Sequence, residues 1–120
     1  MMILFLLGRV LLGGYFLMSA YNHFSKSEML TNYAKSKNVP LAHLAVLLTG
    51  VMLLLGGFGI LLWVYLKASI ALLAIFLTFV TIQMHAFWKI TDPASKMSEQ
   101  MSFTKNMALL GALLIIIAFL

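Results

Sequence analysis

The sequence predicts an all-α integral membrane protein, an antiparallel bundle of four helices, on three observations. Of its 120 residues 63% are hydrophobic and only 9% are charged, whereas about a quarter of a soluble domain is charged. Apolar runs reach the roughly 20 residues that cross a hydrocarbon core at four places, about residues 2–22, 41–66, 68–88 and 103–120. The polar breaks between them are short, so successive spans must run in opposite directions. Together the spans use nearly the whole chain, and a single domain over residues 1–120 is expected. Any chemistry then has to sit between the helices, at a membrane surface, or in another polypeptide.

Composition also excludes function classes. There is no cysteine, which removes disulfide exchange, thiolate nucleophiles and iron–sulfur ligation. The net charge of +5 comes mostly from lysines in two connections. That pattern records membrane orientation rather than a face for nucleic acid.

The first run carries Arg9 inside it, not ahead of it as a signal peptide would, and is expected to stay as a membrane helix. Arg9, Gly13, Phe16, Ala20 and His23 fall at helical spacing on one face, with Gly13 and Ala20 small enough for another helix to approach. Arg9 reads as a cation that snorkels to the nearby interface, or as one aimed at a lipid phosphate, a ligand carboxylate or a partner chain.

Residues 25–40 form a polar connection in which Met29, Leu30, Tyr33 and Ala34 have the spacing of a short amphipathic helix on the interface. Pro40 suits the first turn of the next helix. In the second span His43, Leu47, Gly50, Leu54 and Gly57 share a face, and Gly56, Gly57 and Gly59 favour close helix contact. Trp63 and Tyr65 ahead of Lys67 read as an interfacial belt before a tight turn.

The third span carries Thr78, Thr81, His85 and Trp88 as a polar stripe. After it, residues 89–102 read as a second polar connection in which Asp92-Pro93 signals a turn or a helix start. Lys105 and Asn106 open the last span, which then becomes plain Leu, Ile, Ala and Gly.

Antiparallel spans bring His23, His43 and His85 to one membrane side, at a common depth with Asn22, Gln83, Trp88, Lys105 and Asn106. Arg9 lies roughly 20 Å away along its own helix. Lys26, Lys35, Lys37, Lys89, Lys96 and Lys105 mark that same side as cytoplasmic, against Arg9 and Lys67 at the other. Glu28, Asp92 and Glu99 read as residues of the connections. No carboxylate is therefore expected beside the histidines, which disfavours a metal site and a proton-coupled carrier.

The sequence resembles the DoxX family of small four-helix membrane proteins over nearly its full length. The match is carried by Arg9-Val10-Leu11-Leu12-Gly13, Ser19-Ala20-Tyr21-Asn22-His23-Phe24, Tyr33-Ala34 before Val39-Pro40, and Gly56-Gly57. It continues through His85-Ala86-Phe87-Trp88 with Asp92, then Phe103-Thr104-Lys105-Asn106 and Leu109-Leu110-Gly111. Ala20 stands where the family usually has glycine. The family takes its name from a membrane subunit of a thiosulfate:quinone oxidoreductase, so the resemblance implies a link to membrane redox complexes; many members have no assigned activity.

Two readings follow. In one, the chain is a subunit of a quinone-linked redox system, and His85, Trp88, Asn22, His23, Lys105, Asn106 and Arg9 are the candidate binding residues, with no catalytic or metal-ligating residue assigned. Histidine can exchange hydrogen bonds and protons with a quinone ring near neutral pH. A flavin, haem or cluster subunit would have to deliver the electrons. In the other, the chain is an accessory subunit whose glycine faces and Arg9 dock a larger membrane complex. Both readings place it in a lipid bilayer, expected to be a bacterial inner membrane, with other membrane subunits as partners. Quinone is the cofactor the first reading implies, while haem on two of the histidines is disfavoured because they lie near helix ends.

Overall fold

The computed structural model describes all 120 residues and contains no strand. Four helices are long and apolar enough to cross a membrane: α1 (Met2–Ser25), α3 (Ala42–Leu62), α4 (Leu66–Met84) and α5 (Pro93–Ala118). A shorter helix, α2 (Ser27–Ser36), lies between the first two spans, and a 3-10 turn over Phe87–Lys89 follows α4. The all-α, four-span architecture is the one the sequence predicts.

The surface is that of a protein bathed in lipid. On α3 the residues Leu44, Leu48, Val51, Leu55, Phe58 and Leu62 form an exposed stripe, with the three- and four-residue steps of one helix face. The opposite face of the same helix is buried through Val46, Gly50, Leu53, Gly57 and Ile60. It packs a core with Phe16, Leu73, Leu77 and Leu113.

The spans pack in chain order, α1 on α3, α3 on α4, and α4 on α5, while α2 covers the start of α3. The α1–α3 seam is close because Gly13 has no side chain. A Cβ there would meet the backbone of Leu61 at 2.9 Å and the carbonyl of Gly57 at 3.0 Å. One turn earlier Arg9 donates from Nε and Nη2 to the Leu61 carbonyl at 3.0 and 2.8 Å. That carbonyl belongs to the last turn of α3, where the helix has no partner of its own to offer and where a cation is favoured by the helix dipole. Arg9 thus caps a neighbouring helix, and its guanidinium also lies 5.3 Å from the Phe5 ring.

The turn between α3 and α4 is tight, as expected. Trp63 and Tyr65 both adopt left-handed backbone, with φ of 59° and 48°, and Trp63 packs edge-on to Phe5 at 4.7 Å.

Two expectations need correction. The polar stripe on the third span does not exist as one face. Thr78 is exposed and bonds back to the Ala74 carbonyl, Thr81 is fully buried, and α4 stops at Met84, so His85 and Trp88 belong to the turn that follows. Residues 93–102, read as connection, are the first turns of α5. Asp92 caps them by accepting from the Ser95 amide at 2.9 Å, and Pro93 takes the first helical position, where a missing N–H costs nothing. The 26 residues of α5 span about 39 Å, more than the roughly 30 Å hydrocarbon core. Its charged first turns therefore have room to project into the headgroup layer.

Candidate functional site

At the end of the bundle where α1 and α4 finish and α3 and α5 begin lies a half-open cavity of about 520 Å³, within the usual range for small-molecule sites. Most of its wall is apolar, from α1, α3 and α4, with α2 at one end. It lies where α1 and α5 are not packed against each other along their length. One contact crosses that gap: the Lys105 ammonium of α5 sits 5.3 Å from the centre of the Tyr15 ring of α1, a cation–π distance.

A carboxylate organises the polar end. Glu99, on the second turn of α5, faces three donors from two parts of the chain, the end of α2 and the turn after α4. Tyr33 of α2 donates its hydroxyl to Oε1 at 2.6 Å, His85 approaches Oε2 through Nδ1 at 3.0 Å, and Lys37 Nζ stands 3.6 Å from Oε2. The Glu99 side chain is only 14% exposed, so these bonds form with little competition from water. Burial, and after it the bond to Glu99 and its negative charge, push the Tyr33 hydroxyl well above the ordinary tyrosine range. Tyr33 therefore remains a donor across physiological pH. Next to this cluster the Gln83 amide donates to the Lys37 carbonyl at 2.8 Å and ties the end of α4 to the loop after α2.

Of the residues singled out from sequence, His23, His85, Lys105 and Asn106 line the cavity together. His23 bonds through Nδ1 to the carbonyl of Ser19 at 2.8 Å and sets its ring edge-on to Phe76, 5.9 Å between centroids. Asn106 is 5% exposed and lines the cavity, whereas the one buried polar side-chain atom without a hydrogen-bond partner is Thr81 Oγ1 on α4, outside the cavity wall. Three others lie elsewhere. Arg9 is committed to Leu61 at the far end. Asn22 is half-buried on α1 outside the cavity wall. Trp88 is exposed and packs with Phe87 and Phe103 at 5.4 and 5.8 Å, holding the 3-10 turn onto α5. His43 is exposed, 3.5 Å from the Thr31 hydroxyl.

The expectation that no carboxylate accompanies the histidines is overturned by Glu99. Glu99 is hidden in the sequence because the charge-dense stretch around it reads as a loop. A signal was present: Leu113, Asn106 and Glu99 recur every seven residues, two helical turns, and carry the inner face of α5 back past its apolar part. Tyr33 was noticed only as part of an amphipathic segment. No group of three histidine or carboxylate side chains converges as a metal-binding set would.

What the arrangement can do chemically is hold a lipid-soluble ring. The apolar chamber, with imidazole, amide and ammonium groups in the lining, has room for an apolar molecule that carries polar substituents. Comparison with known proteins gives a family but no function: no curated protein and no solved structure matches the chain. The model of the DoxX family, a small membrane protein family, matches residues 4–86, from the first turn of α1 to the residue after His85. With more than half the sequence matched in this way, the chain is a membrane protein that belongs to the DoxX family.

Proposed function

We propose that this chain is a membrane subunit of a quinone-linked redox system, and that the cavity between α1 and α5 binds the ring. The observation that carries the reading is the union of an apolar chamber with a carboxylate-held histidine and a largely buried amide in its lining. The fit is of the right kind. A quinone or hydroquinone has two oxygens to satisfy and a tail to bury, and the wall offers polar groups at one level and hydrocarbon around them.

His85, oriented by Glu99, is the group that exchanges a proton at Nε2. Asn106 orients the ring, and Lys105 closes the gap over Tyr15. When bound, the quinone supplies the two-electron chemistry; a partner subunit exchanges those electrons with it. The four spans form one domain. The lysine-rich end, with Lys26, Lys35, Lys37, Lys89, Lys96 and Lys105, faces the cytoplasm, in a bacterial inner membrane.

A second reading, an accessory subunit that docks into a larger complex, draws support from Gly8, Gly14 and Gly111. Each has open space where a side chain would be, and small outward residues let another helix approach. Arg9 is not free for that role, being spent on α3.

The two readings part in one experiment. Purified protein in nanodiscs is photolabelled with an azidoquinone and the adducts are mapped by mass spectrometry. Labelling on peptides containing His23, His85 or Asn106, suppressed by unlabelled decylubiquinone and weakened by Asn106→Leu, supports the cavity. Labelling spread over the lipid-facing stripe and insensitive to competitor rejects it.

A further inference from the structure

The hydrogen-bonding roles around the cavity are fixed by the protein before any ligand arrives. Glu99 accepts from Tyr33, and Lys37 beside it can only donate. The carboxylate is therefore the acceptor of the whole cluster, and the nitrogen of His85 that meets it, Nδ1, must carry the hydrogen. The same holds for His23, whose Nδ1 faces the Ser19 carbonyl, a group that has no hydrogen to give. A neutral imidazole has one N–H. Both rings spend theirs on the protein, and in each the remaining nitrogen, Nε2, is a lone-pair acceptor without a protein partner.

Two further hydroxyls of the wall are in the same state. Tyr33 gives its hydrogen to Glu99, and Thr49 gives its hydrogen to the Ala45 carbonyl at 2.7 Å. The lining also holds donors: the Asn106 amide, which can act either way, the Lys105 ammonium at the gap, the Ser19 and Tyr15 hydroxyls, and the Gln83 N–H not given to Lys37.

We propose that the cavity selects a ligand that donates hydrogen bonds, the dihydroxylated ring of a lipid-soluble hydroquinone, over the dicarbonyl ring of the oxidised quinone. The inference rests on the quinone reading above and sharpens it. A hydroquinone hydroxyl can donate to an imidazole lone pair, whereas a quinone carbonyl set against the same lone pair leaves acceptor facing acceptor. Glu99 is a positioning residue in this scheme. It touches no ligand and acts by deciding which nitrogen of His85 bears the hydrogen.

The test uses the full chain in nanodiscs at about pH 8, on the alkaline side of histidine's unperturbed range. Affinity is measured for decylubiquinol, kept reduced under argon, and for decylubiquinone. The expected result is about tenfold tighter binding of the reduced form, the effect of roughly one well-made hydrogen bond in a discriminating site. In Glu99→Gln an amide N–H replaces one carboxylate oxygen, which lets His85 present an Nε2 hydrogen instead, and the preference falls below about threefold.

Nitrogen-15 NMR of histidine-labelled protein supplies a ligand-free readout. In the wild type the His85 and His23 signals, assigned by loss in single variants, are those of the Nδ1–H tautomer, and in Glu99→Gln the His85 signal moves toward the Nε2–H form. Equal affinity for the two forms, or a wild-type His85 in the Nε2–H tautomer, overturns this inference and leaves the quinone reading standing. Failure of both forms to bind overturns that reading and this one with it. The tautomer measurement needs no variant at position 99, so the inference stays exposed to refutation if Glu99→Gln does not fold.

Discussion

Gly13 and Gly14 are adjacent on α1, and the same substitution at each should have opposite outcomes. At Gly13 a methyl group would sit 2.9 Å from the Leu61 nitrogen and 3.0 Å from the Gly57 carbonyl oxygen. Both are backbone atoms of α3, so no side chain can swing aside. A carbon atom seeks roughly 3.5 Å from such neighbours, so α1 must retreat by about 0.5 Å along the seam. Overpacking of this kind costs about 1–3 kcal/mol, and the shift also stretches the paired bonds from Arg9 to the Leu61 carbonyl one turn away. Against it stands the gain of up to ~1 kcal/mol from replacing glycine by alanine inside a helix.

Gly14 has no atom within 4 Å of the added carbon, so Gly14→Ala keeps only the gain. The two variants should differ by about 2 kcal/mol, with Gly13→Ala less stable than the wild type and Gly14→Ala equal to it or more stable. Reversible unfolding of the purified protein in mixed micelles, followed by far-UV circular dichroism, reads that difference. Equal stability of the two variants would refute the close α1–α3 seam and with it the placing of Arg9 as a cap.

Other outcomes follow from the site and the caps. Glu99→Ala leaves Tyr33, His85 and Lys37 without their shared acceptor and should cost about 1–3 kcal/mol in the same unfolding assay; no loss would dissolve the cluster. Tyr33 should ionise well above the usual tyrosine range in an ultraviolet pH titration, and Tyr33→Phe should remove that component. Because the folded state holds Tyr33 in its neutral form, the associated stability is whole below the usual tyrosine range near 10 and is lost as pH rises beyond it. Asp92→Ala should lower amide-exchange protection at Ser95 and its neighbours without altering the rest of α5. The amide bond from Ser95 lowers the Asp92 carboxyl below its ordinary value, so the cap persists above the usual carboxylate range and weakens as pH falls through the depressed value. Arg9→Lys loses the two-pronged donation to Leu61 and should cost ~1 kcal/mol without altering ligand binding in the cavity, a split that unfolding and photolabelling together would read.

Four spans, their antiparallel order, the tight turn at Trp63 and the cap at Asp92-Pro93 were legible in the sequence, because each depends on groups close together in the chain. Hydrophobic length decides a span, and one proline with one carboxylate decides a helix start. The gathering of His23, His85, Lys105 and Asn106 in one wall was legible for the same reason, since helix ends at one membrane side follow from topology alone. What only the tertiary structure decided is which polar groups meet. Glu99 is 66 residues from Tyr33 and 14 from His85, and Arg9 is 52 from Leu61. No periodicity encodes such pairings. They depend on the register of one helix against another, which is set where a glycine allows backbones to touch and where a helix end leaves a carbonyl to be capped. The chain thus announced a membrane bundle by its composition, and packing alone made a carboxylate from an apparent loop the centre of its polar cluster.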